Sequence, residues 1–172
     1  MKPAMPKQIP THIPECAANL IARPEWFADT SIVFRVQLRH ATGLARFFSG
    51  SRFAKRAIDA ITFGHTINYR DIDGFDDQTP AGLALLAHEL KHVEQFERDG
   101  AIGFFLKYLR DYFRFGYGDK IPYEDEAYAL QRHIRMHLKR EFSDNHPIDP
   151  CLNPTEYVKI TPEPFKFPET SD

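Results

Sequence analysis

The feature that most restricts what this chain can fold into is Ala87 to Gln95, AHELKHVEQ, which sets His-Glu-x-x-His inside a helix-like run from Leu83 to Phe96. Residues four apart on a helix lie on one face, one turn above the other. His88 and His92 can therefore chelate one zinc ion between them. Glu89, one position past His88, can reach a water at that metal without being a ligand. A metal that lowers the pKa of water, beside a carboxylate that takes its proton, is the chemistry of zinc hydrolases. The flanks require the helix to be well covered. Leu83, Leu86, Leu90 and Val93 form one apolar stripe, and Leu85, His88, His92 and Phe96 form a second. Only Lys91, Glu94, Gln95 and Arg98 remain for a solvated wedge. Histidines on the inner side of such a helix need partners. Core histidines bonded to backbone or acids are the competing explanation, and the motif with its flanks favours metal.

Local signals set the limits of this helix and suggest its neighbours. Thr79 is a good N-cap and Pro80 suits the first helical position. Asp99-Gly100 supplies a glycine stop. Ser31 to His40 alternates, with Ile32, Phe34, Val36 and Leu38 on one side, and so reads as a half-buried strand. Ala60 to Arg70 reads as a second strand by its β-branched and aromatic content, with Gly64 marking a bulge or close approach. It is the candidate edge for an extended substrate, and His65 within it reads as structural. Asp71 to Asp77 is an acidic turn without the full calcium-loop pattern. Ile102, Phe105, Leu106, Leu109, Tyr112 and Phe113 give a further helix its apolar face, and Phe104, Tyr108 and Phe115 form a second stripe that could line a cleft. Pro122 opens the last helix, whose stripe is Ala127, Leu130, Ile134 and Leu138.

A chain of 172 residues is one domain by size. Residues 1–24 read as an extended Pro-rich arm with Trp26 as an anchor just beyond it, 25–143 as the domain, and 144–172 as a Pro-rich tail. Net charge of −2 nominates neither nucleic acid nor an anionic membrane as partner. The basic stretch 35–56, with Arg35, Arg39, Arg46, Arg52, Lys55 and Arg56, could touch an anionic surface, but reads first as a solvated face. Cys16 and Cys151 are far apart with no CxxC, so they imply neither a zinc ribbon nor a disulfide framework. The N-terminus has no signal-peptide core and no run is long enough to span a bilayer. The expected location is cytoplasmic by default, with export by a specialised system also compatible.

Catalytic zinc usually has three protein ligands and an open position. After His92 the acids and histidines on offer include Asp111, Asp119, Glu124, Asp125, Glu126, His133 and His137, and periodicity does not separate Glu124 from Glu126. Leu85 to Gln95 (LLAHELKHVEQ), preceded by Ala60 to Ile67 (AITFGHTI) and followed by Ile121 to Tyr128 (IPYEDEAY), resembles a metallopeptidase-like domain of unknown function. That domain is often encoded beside extracellular contractile injection systems and sits within the wider gluzincin group. The group pairs its first motif with Glu-x-x-Ala-Asp on the next helix. The resemblance implies Glu124 as third ligand, with Glu126 in reserve, and Zn2+ as cofactor. Tyr128 stands where relatives carry an aspartate, so Asp125 or a backbone carbonyl would have to orient a ligand histidine. Tyr128, Tyr117 or Tyr123 could polarise a substrate carbonyl, with Tyr128 the choice here.

The expected fold is α+β: a small antiparallel sheet packed on a helical, zincin-like core with the His-Glu-x-x-His helix at its centre. The expected function is zinc-dependent hydrolysis of a peptide or protein substrate, with Glu89 as general base. The alternative is a non-catalytic, metal-stabilised binding or cargo module of a secretion or injection system.

Overall fold

The computed structural model of the chain describes residues 10–41, 60–70, 75–116 and 120–141. In order, the elements are α1 (Glu15–Ile21), α2 (Ile32–Arg35), β1 (Gln37–His40), β2 (Ala60–Phe63), β3 (Thr66–Tyr69), α3 (Pro80–Phe115) and α4 (Pro122–Glu141). The class is α+β as expected, and α3 is central: α4, β2 and both N-terminal helices pack on it.

The start of α3 follows its sequence signals. Thr79 is extended (φ −125°, ψ 153°), its side chain accepts from the Gly82 N–H at 3.1 Å, and Pro80 follows. That hydroxyl satisfies one of the four orphan N–H groups of the first turn. At Gly100 the backbone takes φ 69°, ψ 164°, which no L side chain adopts without strain, so α3 is two rods that meet there. The upstream rod buries Leu83, Leu86, Leu90 and Val93, and α4 buries Ala127, Leu130, Ile134 and Leu138.

The sheet has the order β1-β3-β2 and is mixed, with β2 antiparallel to β3 but β1 parallel to it. The single strand expected over Ala60 to Arg70 is a hairpin. Gly64 (φ 56°) and His65 make its two-residue turn, with Phe63 opposite Thr66. Positive φ at the first central residue and not at the second is the II′ pattern, which matches strand twist. Gly64 lies over the Phe96 ring of α3, where an added Cβ would stand 3.5 Å from it. The hairpin is thus seated on the central helix.

Two further expectations are corrected. Ser31 to His40 is not one strand: Ile32–Arg35 is a helical turn, and only Gln37–His40 is extended. Asp29 accounts for this, since its carboxylate accepts from the Ser31 N–H and the Arg35 guanidinium, both at 2.8 Å, fixing a turn. Those contacts hold the Asp29 carboxyl below its usual range. Of the N-terminal arm, the described residues 10–24 are also not a simple extended strap. Leu38 N–H donates to Thr11 O at 2.8 Å, which lays the segment along β1, and α1 then buries Ala17, Ala18, Leu20 and Ile21. Trp26 is fully buried, with Arg23 over its ring at 5.0 Å and His137 edge-on at 5.5 Å. The proposed tail, 144–172, and most of the basic stretch and acidic turn lie outside the described residues.

Candidate metal centre

His88 and His92 face inward from successive turns of the upstream rod, and Glu124 enters from the first turn of α4. These three form the one cluster of metal-capable side chains among the described residues. Their relative exposures are 5%, 8% and 4%, so water scarcely reaches them. His88 Nε2 and His92 Nε2 are 3.2 Å apart, and Glu124 Oε2 is 3.5 Å from the first and 3.7 Å from the second. Donor atoms at zinc–ligand distances on a tetrahedron are about 3.3 Å apart. The three atoms therefore outline one face of such a polyhedron. Glu124 Oε2 is buried and has no hydrogen-bond partner within the described structure. A buried carboxylate oxygen left in that condition, facing two imidazole nitrogens, fits a divalent cation.

Each ligand is held from behind. His92 Nδ1 donates to Gln95 Oε1 at 2.8 Å, which leaves Nε2 as the nitrogen turned to the cluster. Gln95 is itself fixed, donating to Tyr123 O at 3.0 Å and Glu126 Oε2 at 2.8 Å. Glu124 Oε1 accepts from the Tyr108 hydroxyl at 3.0 Å, so Oε2 points inward. The His88 ring is held by packing instead, 4.6 Å from the Tyr128 ring, and its Nδ1 has no hydrogen-bond partner. Tyr128 thus meets a histidine by ring contact. The orienting acceptor that does exist, Gln95, comes from the metal helix itself, three residues past His92, and neither Asp125 nor a backbone carbonyl fills that role.

Without metal, His92 and Glu124 form a buried charged pair within the cluster. Burial works against a charged His92, but the Glu124 carboxylate, with smaller help from Glu89 and Gln95, raises it to about 9. Burial likewise opposes ionised Glu124, yet the two imidazoles hold its carboxyl far below the usual range. Protons and metal therefore compete for the same atoms.

Glu89 is 4% exposed and its Oε2 accepts from the Thr62 hydroxyl of β2 at 2.7 Å. Residue periodicity could not show Thr62, because the contact depends on where the hairpin lies. Glu126, the reserve ligand, is engaged elsewhere: Lys91 Nζ lies 3.1 Å from Oε1 and Gln95 binds Oε2. Burial raises its pKa, but Lys91 leads the contacts that bring it below the usual range. Lys91 and Gln95, expected in a solvated wedge, are 3% and 0% exposed. Lys91 also pairs with Glu94, which in turn accepts from Ala28 N–H at 2.7 Å. Tyr123 is not free to act on a substrate, since its hydroxyl donates to Asp99 at 2.6 Å, and Tyr117 lies outside the described residues. His65 sits at the surface against Glu97 at 2.7 Å, in keeping with a structural part.

No helix among the described residues is long and apolar enough to cross a membrane. No curated protein and no solved structure matches the chain. Residues 46–100, less than half of the chain, match the family described as the eCIS core domain, a span that includes His88, Glu89 and His92 and stops short of Glu124.

Proposed function

We propose that this chain is a zinc-dependent peptidase whose metal is held by His88, His92 and Glu124. The observation that carries the reading is the spacing of the three donor atoms, 3.2, 3.5 and 3.7 Å, with a glutamate one residue from the first of them. A bound zinc would supply Lewis acidity toward a substrate carbonyl and acidify a water at its open position. Glu89 accepts the proton of the attacking water and returns it to the leaving amine, as a positioned general base and then acid. Thr62 orients that carboxylate, Gln95 sets the His92 tautomer, and Tyr108 turns Glu124 inward. We assign the substrate carbonyl oxygen to Tyr128, whose ring lies against His88. The match to the eCIS core domain supports an association with contractile injection systems, to which export would be compatible.

One observation favours a second reading. All three ligands are less than a tenth exposed, which suits a structural metal as well as a catalytic one. On that reading the chain is a metal-stabilised binding or cargo module. Hydrolysis of unfolded casein by wild type and Glu89→Gln, with and without chelator, separates the two. The peptidase reading expects chelator-sensitive cleavage that Glu89→Gln loses while keeping its zinc. Zinc-dependent stability with no cleavage of casein would support the module.

A further inference from the structure

The downstream rod of α3, residues 101–115, lies beyond the eCIS core match and carries a surface the metal centre does not use. At about 100° per residue its side chains fall into three sectors. Phe104, Tyr108 and Asp111 turn to the protein: Phe104 stacks on Tyr123 at 4.8 Å, Tyr108 bonds Glu124, and Asp111 is 4% exposed. A second sector holds Ile102, Phe105, Leu106, Leu109, Tyr112 and Phe113. This is the face expected to be core, yet Ile102 is 77% exposed, Leu106 61% and Phe113 81%. The third sector, flanking it, holds Arg114 together with Lys107 and Arg110, which pair with Asp99 and Asp111 while their side chains stay 50% and 68% exposed.

Every exposed side chain on this rod is apolar or basic, and its single acid is buried beneath Arg110. A helix that shows an apolar sector beside a cationic one matches surfaces that are themselves apolar with an anionic rim. We propose that the rod docks on an anionic lipid bilayer, with its Ile102–Phe113 face in the acyl–headgroup boundary and Lys107, Arg110 and Arg114 at the phosphates. A second copy of the chain fits less well. Isologous pairing would bring two cationic sectors to one interface rim, with no exposed acid in either rod to meet them.

The test uses the full chain and vesicles of phosphatidylcholine alone or with roughly one-third phosphatidylserine. Co-sedimentation with the anionic vesicles is expected, weakening as salt rises, with little binding to the neutral ones. Phe113→Glu, at a position 81% exposed, lowers the partition coefficient about tenfold or more. Arg114→Gln lowers it about fivefold, on anionic vesicles only. As a second measurement, Phe113→Trp shifts its emission to the blue on anionic vesicles and is quenched by brominated lipid, against the constant background of buried Trp26. Wild type that stays in the supernatant at low salt overturns the proposal, as does Phe113→Glu that binds like wild type. A dimer abolished by Phe113→Glu, or binding of an acidic amphipathic peptide without vesicle binding, overturns it in favour of a protein partner.

Discussion

The two rods of α3 invert each other. Upstream of Gly100 the helix buries charge: Lys91, Glu89 and both histidines are each less than a tenth exposed. Downstream it exposes hydrocarbon, with Ile102, Phe105, Leu106 and Phe113 all more than half open to solvent. Buried ionisable groups and exposed apolar ones each run against the usual partition. The upstream rod offsets the cost by pairing: Lys91 with Glu94 and Glu126, the imidazoles with Glu124, Glu89 with Thr62. The downstream rod has no such compensation among the described residues. Where a protein keeps an unfavourable arrangement, function is the first place to look. Here the two arrangements point to two functions, a metal centre and a docking face.

Substitutions on the two rods should therefore differ sharply. The largest effect is expected at Glu89→Gln, with hydrolysis of a peptide substrate falling about a thousandfold while zinc content is unchanged. Lys91→Met comes next. It leaves Glu94 without its cation and Glu126 with only the half-exposed Arg98, and urea unfolding should show a loss of about 3 kcal/mol. Gln95→Leu removes the acceptor that orients His92, and competition with a chromophoric chelator should show zinc affinity down about tenfold to a hundredfold. At the other end, Ile102→Gln should change stability by no more than about 0.5 kcal/mol, because its side chain is already in water. If Ile102→Gln proved as damaging as Lys91→Met, the contrast between the rods would be wrong.

The ionisation of His92 adds a prediction with a definite sign. Its folded value, about 9, lies above its ordinary 6.5. In the metal-free chain the stabilisation it contributes is complete below about pH 6.5 and is lost as pH rises through about 9. Thermal melts of the chelated protein should weaken across that window, by a few kcal/mol at most. Zinc must displace the same proton, so calorimetry at pH 7.5 in buffers of different ionisation enthalpy should register about one proton released per ion bound.

Much of the metal centre was legible because a helix repeats. His88 and His92 share a face by arithmetic, Thr79-Pro80 marks the start, and the stripe Ala127, Leu130, Ile134 and Leu138 defines α4. Choosing Glu124 over Glu126 took the resemblance, since both flank that stripe. The structure brings Glu124 to the histidines and gives Glu126 to Lys91. Less legible was anything that depends on which side of a helix meets a neighbour. A wheel sorts Lys91 and Gln95 with the solvated residues, yet α4 and the Ala28 segment pack over them. It also assigns Ile102, Phe105 and Phe113 to the core, when the protein takes the Phe104–Tyr108 side. Amphipathicity shows that a helix has two faces, and packing decides which one is turned inward. The turn at Ile32–Arg35 was hidden for a different reason: alternating residues satisfy a strand pattern, while Asp29 stabilises the turn through two local hydrogen bonds.

Zinc content per purified chain, measured by elemental analysis for wild type, Glu124→Ala and Glu126→Ala, addresses the central claim most directly. One ion per chain in wild type and in Glu126→Ala, and none retained by Glu124→Ala, is the expected result. A metal-free wild type after growth in zinc-supplemented medium, or zinc lost from Glu126→Ala and kept by Glu124→Ala, would contradict the three-residue site.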